Sequence, residues 1–325
     1  MRVYLVIKNI NSANGVIFQV ARRYLRGSLI VFITRCSWFG YLVFLEMQIM
    51  PELPEVETVV RGMQPALEGK VLINVEQRCE SLRWPVPENF AARLIGKQVV
   101  RIERRAKYIL WYLDDQSVMI LHLGMSGRVS ISAKRPECLE KHDHLIFTTE
   151  EGVVIRFNDA RRFGMVDLNS SATIHQHRLL KLLGPEPLGN YFNSRSLGFT
   201  LKNRRTSIKN ALLDQSVVSG LGNIYVCEAL YRSNISPKRL ALNVKGKKLE
   251  RLVSVIREVL YEAIDAGGSS LRDHAQTNGE LGYFQHSFKV YGREAEPCSN
   301  NDCVGIISRI IQSGRSTFYC VNCQR

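Results

Sequence analysis

The chain has 325 residues, enough for two or three domains with cores of their own, and 45% of them are hydrophobic. That proportion excludes a disordered or fibrous polypeptide. Its 44 Lys and Arg exceed its 30 Asp and Glu, and the surplus of +14 favours a polyanionic partner, of which nucleic acid is the commonest.

Residues 1–49 differ in composition from the rest of the chain. They hold Arg2, Lys8, Arg22, Arg23, Arg26 and Arg35 against a single acid, Glu46. The remainder is therefore basic in its own right. Residues 28–45 are apolar enough to suggest a membrane span, but Arg35 sits in the middle, where lipid makes a charge costly. A signal peptide calls for a cleaner apolar run and small residues at a cleavage site. The basic, acid-poor composition also resembles a transit peptide. The expectation is that residues 1–49 are an extension outside the mature protein, with translation starting at Met50 or cleavage exposing Pro51, and that no membrane partner exists.

After Pro54, Val56, Val59, Val60 and Met63 recur at helical spacing, which predicts a helix over 54–67. Runs rich in β-branched and aromatic residues follow at 98–104, 107–113, 118–123, 144–149 and 153–157, and predict a β-sandwich or barrel. Gly184-Pro185-Glu186-Pro187 reads as a boundary turn. A helical pair over about 208–232 is broken at Gly220-Leu221-Gly222-Asn223. A longer helix over 247–266 puts Leu249, Leu252, Val253, Ile256, Val259 and Leu260 on one face and ends at Gly267 and Gly268.

Of eight cysteines, Cys36, Cys79, Cys138 and Cys227 are scattered, whereas Cys298, Cys303, Cys320 and Cys323 crowd the end. A secreted disulfide framework is smaller and denser, so a reducing compartment is expected. Four residues separate the first pair, two the second, and sixteen lie between the pairs, room for a β-hairpin. Tetrahedral zinc takes four thiolates from two tight turns of this kind. With four cysteines the coordination sphere is closed, so the one expected Zn2+ is structural. Arg309 and Arg315 lie between the pairs, and arginines at a hairpin tip suit phosphate contacts.

The predicted fold is α+β and multidomain. An N-terminal helix with a β-sandwich occupies 50–183, a helix–two-turn–helix domain 184–290, and a β-hairpin zinc finger 291–325.

From Met50 the chain reads MPELPEVETVVRG. The acids Glu52, Glu55 and Glu57 alone only complement a helix dipole. The full string is far more specific and is followed in order by RRAKY (104–108), HLGMSG (122–127), KHDH (141–144), ARRFG (160–164), LGPEPL, GLGNIY and the terminal cysteines. Over residues 50–325 this series resembles the formamidopyrimidine-DNA glycosylase family of bifunctional base-excision repair enzymes.

The resemblance implies excision of oxidised purines from duplex DNA by a monomer, then strand cleavage by β,δ-elimination, in a bacterial cytoplasm at the nucleoid. It implies that Pro51, once terminal, attacks C1′ of the damaged nucleotide and forms a Schiff base. A free α-amino group titrates near about pH 8 and is partly neutral at pH 7, whereas a proline within a chain is an unreactive amide. Glu52 matches the general acid/base, Glu55 a group placing lesion and water, Lys107 a phosphate-contacting lysine that assists β-elimination, and Arg315 the finger arginine that grips phosphate.

Met125, Arg161 and Phe163 match the wedge that fills the space left by the everted nucleotide. His122, His142, Arg204, Lys209 and Asn223 fall at DNA-contact positions. The sequence departs from the family at Ala160 and Leu281, where proline is frequent, and at Cys298–Cys303, two residues longer than usual. Residues 269–285 correspond to a loop over the everted base. Two alternatives stand beside this reading: an endonuclease VIII-like glycosylase for oxidised pyrimidines, and a non-catalytic DNA-binding protein if Pro51 stays blocked.

Overall fold

A computed structural model of the chain describes residues 50–269, Thr277 and 282–325, together with the backbone of four short strands nearer the start. It divides into two compact units, Met1–Gln48 and Ile49–Arg325. In the first, β1 (Lys8–Ser12) pairs antiparallel with β2 (Gly15–Gln19), and β3 (Val31–Phe32) with β4 (Phe44–Leu45). Apart from those last two strands, the apolar run at 28–45 lies outside the described residues. Among the described residues no helix is long and apolar enough to cross a membrane.

The second unit begins with α1 (Leu53–Leu67), whose N-cap is Glu52. The cap is closed by Glu55, which accepts the Glu52 backbone N–H at 3.0 Å. The helix serves two cores. Val56, Val59, Val60, Met63 and Leu67 pack into the β-domain, whereas Leu53 belongs to the helical domain's core. Its first turn is thereby held at the junction between the two.

The β-domain contains β5 (Leu72–Gln77), α2 (Phe90–Leu94), β6 (Val99–Arg105), β7 (Tyr108–Leu113), β8 (Ser117–His122), β9 (Arg128–Ser132), β10 (Asp143–Thr149), β11 (Val154–Asn158) and β12 (Met165–Ser170). Two four-stranded sheets form, ordered β5-β10-β11-β9 and β12-β8-β7-β6, with every pairing antiparallel. Residues of both sheets share one core, in which Trp111 and Phe147 have ring centroids 4.9 Å apart. The five strands expected from sequence are all present. β5, β9 and β12 were not anticipated, and each is an edge strand, where polar residues interrupt the apolar run.

The helical domain contains α3 (Ser194–Leu201), α4 (Ile208–Leu213), α5 (Asn223–Arg232) and α6 (Lys247–Asp265). All six apolar residues expected on one face of α6 are buried. Helix α3 was not anticipated; its N-cap Asn193 accepts the Ser196 N–H at 3.0 Å. At the end, β13 (Ile307–Gln312) and β14 (Arg315–Cys320) form a hairpin whose two-residue turn, Ser313-Gly314, has both φ angles positive. Of the loop over 269–285, Ser269, Thr277 and residues 282–285 are described; Leu281 lies outside the described residues.

Candidate active site and nucleic-acid interface

Glu52 sits directly after Pro51 and is buried, with 3% of its surface exposed. Its carboxyl lies at the N-terminus of α5, accepting the backbone N–H of Ile224 at 3.0 Å and of Tyr225 at 3.5 Å. The approach is so close that a Cβ on Gly222 would stand 2.2 Å from Glu52 Cδ; only glycine fits there. Burial pushes the Glu52 carboxyl up to about 7, with Glu55 adding to the rise and Lys107 and the helix amides opposing it. A carboxyl so tuned exchanges protons near neutral pH.

Glu55, one turn on, is saturated. Besides the Glu52 N–H it accepts Tyr225 Oη at 2.6 Å, Ser269 N–H at 2.8 Å and Ser269 Oγ at 2.7 Å. Tyr225, which closes the GLGNIY motif, and Ser269, which opens the 269–285 loop, were given no role of their own in the sequence. Lys107 reaches the same corner from the turn between β6 and β7. Arg105 pairs with Tyr108, leaving Ala106, at φ +55°, and Lys107 as the two turn residues. Burial holds the Lys107 amine below its ordinary range; Glu52 opposes this, while Arg315 adds to it.

The base of that turn is clamped. Arg104 bonds Glu57 at 2.8 Å and Glu186 at 2.6 Å, and Arg105 bonds Glu186 at 2.7 Å. Arg105 also donates to the carbonyls of Leu183 and Gly184, at 3.0 and 2.7 Å. RRAKY and LGPEPL, far apart in sequence, thus form one joint.

His122 lies beside the Tyr108 ring, with centroids 4.9 Å apart. Its Nδ1 accepts the Gly124 N–H at 2.9 Å, which leaves Nε2 to carry the proton of the neutral ring. Burial, with Lys107 and Arg83 nearby, pushes the ring down to about 4. His122 is therefore a neutral donor at pH 7. Met125 and Phe163 are half-buried, and the Arg161 guanidinium lies 4.5 Å from the Phe163 ring centroid. Their loops touch: a Cβ on Gly124, at φ +68°, would meet the Phe163 carbonyl carbon at 2.4 Å. His142 is also half-buried, its ring 6.1 Å from that of His144.

The four terminal cysteines converge, all their Sγ atoms lying within 4.8 Å of one another. Cys298–Cys323 and Cys303–Cys320 are each separated by 3.7 Å. Sulfurs about 2.3 Å from a tetrahedral zinc are about 3.8 Å apart, so the set fits that ion. The longer first knuckle is absorbed in a turn where the Cys303 N–H donates to Asn300 O at 2.9 Å. Tyr231 Oη and the Gly305 N–H approach Cys298 and Cys303 sulfurs at 3.2 and 3.4 Å, supporting the ligands from outside.

Arg315 opens β14 beside the turn and is exposed. Arg309 is not at the tip: it lies mid-strand, opposite Phe318, paired with Glu294 at 3.2 Å. Lys209 departs further from expectation. It has no exposed surface, and its ammonium donates to Thr317 Oγ1 at 2.6 Å and Ser316 O at 3.1 Å. Its ammonium thus holds the hairpin. Asn223 Nδ2 likewise donates to Ser316 O, at 2.9 Å. Arg204 is partly exposed and pairs with Asp214 at 2.6 Å.

Glu228, missed in the sequence, is wholly buried and accepts the N–H groups of Lys289, Val290 and Tyr291 at 2.8–2.9 Å, tying α5 to the segment that enters the finger. The signal was available: Glu228 is the one acid in α5, among residues that are nearly all buried.

Residues 50–166 match the formamidopyrimidine-DNA glycosylase N-terminal domain family, and residues 183–275 its H2TH domain family. The chain is 54% identical over 283 residues to a formamidopyrimidine-DNA glycosylase of Ruegeria pomeroyi, covering 85% of this chain and 100% of that protein. It is 55% identical to the namesake from Roseobacter denitrificans, with the same coverage. Among solved structures it resembles wild-type Lactococcus lactis Fpg bound to DNA containing N7-benzyl-Fapy-dG, with TM-score 0.77, 34% identity, and 85% and 100% of the two chains covered. A complex of MutM with DNA containing carbocyclic 8-oxo-G gives TM-score 0.76 at 36% identity, with the same shares covered.

Proposed function

This chain belongs to the formamidopyrimidine-DNA glycosylase family, and we propose on that basis that Pro51, as the amino-terminal residue, is the nucleophile of a glycosylase and lyase acting on oxidised purines in duplex DNA. The observation that carries the mechanism is the Glu52 carboxyl, raised to about 7 at the start of α5 and immediately beside Pro51.

The neutral Pro51 nitrogen attacks C1′ as the bond to the damaged base breaks, and the proton shed by the Pro51 nitrogen leaves with the base. Glu52 donates a proton to O4′ as the sugar opens, leaving an iminium between Pro51 and C1′. Loss of a C2′ proton then expels the 3′ phosphate, and a second elimination expels the 5′ phosphate. Lys107, beside Glu52, neutralises phosphate charge during the first elimination, and Arg315 grips phosphate during the second. Met125, Arg161 and Phe163 fill the gap in the stack, while Nε2–H of His122 and the side chains of His142, Asn223 and Arg204 contact the backbone.

One structural Zn2+ holds the finger through Cys298, Cys303, Cys320 and Cys323; the sulfur spacing supports this choice of ion. Residues 1–49 and Met50 are absent from the working form, because an acylated Pro51 nitrogen cannot attack. In keeping with this, the relatives are covered in full by 85% of the chain. The bacterial origin of these relatives supports action on the bacterial chromosome in the cytoplasm.

Borohydride reduction during turnover tests the reading. Protein beginning at Pro51 should be trapped on an 8-oxoguanine duplex, and the 325-residue form should not. Normal binding with no trapped adduct would contradict it. Faster excision of thymine glycol than of 8-oxoguanine would favour the pyrimidine-directed alternative.

A further inference from the structure

Asp159 has no exposed surface and so cannot touch DNA, yet three loops assigned to DNA converge on it. Its Oδ1 accepts Ser126 Oγ at 2.5 Å and the Arg161 N–H at 3.3 Å, and its Oδ2 accepts the Gly164 N–H at 2.6 Å. Its backbone N–H donates to His142 O at 3.0 Å. Its carbonyl accepts His144 Nε2 at 2.9 Å and the Arg162 N–H at 3.2 Å. One residue therefore joins the Met125 loop, the His142–His144 segment and the Arg161–Gly164 loop.

The contacts fall mainly beside the wedge residues, not on their side chains. Ser126 follows Met125, and Gly164 follows Phe163. The backbone is pinned where each wedge side chain leaves it, while the side chain stays available. Gly164 is held from both sides, since its carbonyl also accepts the Arg83 N–H at 3.0 Å. Ala160, next to Asp159, lacks the ring that would fix φ at this point. The loop's shape is carried instead by the hydrogen bonds of its neighbour.

We infer that Asp159 is a positioning residue for lesion extrusion: it sets the Met125 and Phe163 loops in register so that both side chains enter the duplex together. The inference rests on the glycosylase reading above. A wedge on ordered loops enters without first paying to fix its backbone, whereas loosened loops must be ordered during insertion. Asp159 should then matter for opening an intact base pair and little for chemistry at C1′.

The test uses Pro51-start protein with Asp159→Asn or Ser126→Ala. Asn keeps the size but presents an NH2 group to one of the donors, and Ala removes a single bond. Each protein is given a duplex with 8-oxoguanine opposite cytosine, and the same duplex with a preformed abasic site, where no base pair needs opening. 2-Aminopurine beside the lesion's partner reports wedge insertion. Excision from the paired duplex should fall about tenfold or more in Asp159→Asn and roughly threefold in Ser126→Ala. Cleavage at the abasic site should fall less than about twofold, and the 2-aminopurine signal should slow in step with excision.

Equal losses on the two substrates, or slower excision with unchanged 2-aminopurine kinetics, would overturn the inference. If Asp159→Asn does not fold, Ser126→Ala decides by the same ratio. Failure of the parent protein to cut abasic DNA would count against the proposed chemistry, whereas the substrate ratio bears on Asp159 alone.

Discussion

The corner around Glu52 and the four-cysteine finger come from opposite ends of the working chain, and they are held by different physics. Glu52, Glu55 and Lys107 are fixed by burial, by the amides of α5 and by the Arg104–Arg105–Glu186 joint, all supplied by the chain itself. The finger is a two-stranded hairpin, too small to be stable alone; Lys209 and Asn223 tether it to α4 and α5, Ile307 and Phe318 join the helical core, and four sulfurs arranged for a metal close its far end. The corner should therefore keep its shape when the finger is lost, and the two contributions to DNA repair should separate.

Four experiments probe that separation. The largest effect is expected from Glu52→Gln, which removes the proton donor while keeping the size of the side chain. Base excision should fall about 100-fold or more, with duplex affinity nearly unchanged in a gel-shift or anisotropy titration. A smaller but opposite pattern is expected from removing the metal with a chelator, or from Cys303→Ser. Duplex binding should weaken at least about tenfold, because Arg315 loses its support. In Pro51-start protein the two tryptophans, Trp84 and Trp111, both lie in the β-domain, so their emission should stay constant while binding is lost. A change in that emission would show that the regions are not independent.

The next comparison uses pH. The folded Glu52 carboxyl, raised to about 7 from an ordinary value of 4.5, binds its proton more tightly than the unfolded chain does. Its contribution is fully present below about pH 4.5 and is lost as pH rises through about 7, a change on the order of 3 kcal/mol. Thermal melts across this window should thus show a downward slope with pH that flattens in Glu52→Gln. The smallest effect is expected from Ala160→Pro. Where φ suits the ring, such a change stabilises only through the unfolded chain, so excision should shift less than about fivefold. A larger gain would show that Asp159 leaves the wedge loop loose.

Much of this architecture was legible because burial and pattern agree. α1 and α6 carry long apolar stripes, the five expected strands are dense in β-branched and aromatic residues, and the cysteine pairs announce a metal site by spacing alone. The motifs also placed Glu52, Glu55 and Lys107, which the fold brings to one corner. The departures from expectation share a cause. Lys209 and Arg309 have the sequence setting of surface cations, but whether a cation faces DNA or a neighbouring oxygen depends on contacts made across more than a hundred residues for Lys209 and across fifteen for Arg309. The roles of Asp159 and Tyr225 were hidden for the converse reason. Each is a buried polar group whose role is to hold something else, and such partners are fixed only after the chain has folded.

The central claim is that the Pro51 nitrogen performs the attack, and mass spectrometry of the borohydride-trapped complex tests it most directly. Protein beginning at Pro51, reduced on an 8-oxoguanine duplex and digested, should yield an amino-terminal peptide carrying the sugar remnant on the Pro51 nitrogen. A remnant on a lysine such as Lys107, or an equally trapped adduct in protein whose Pro51 nitrogen is still acylated, would contradict the account.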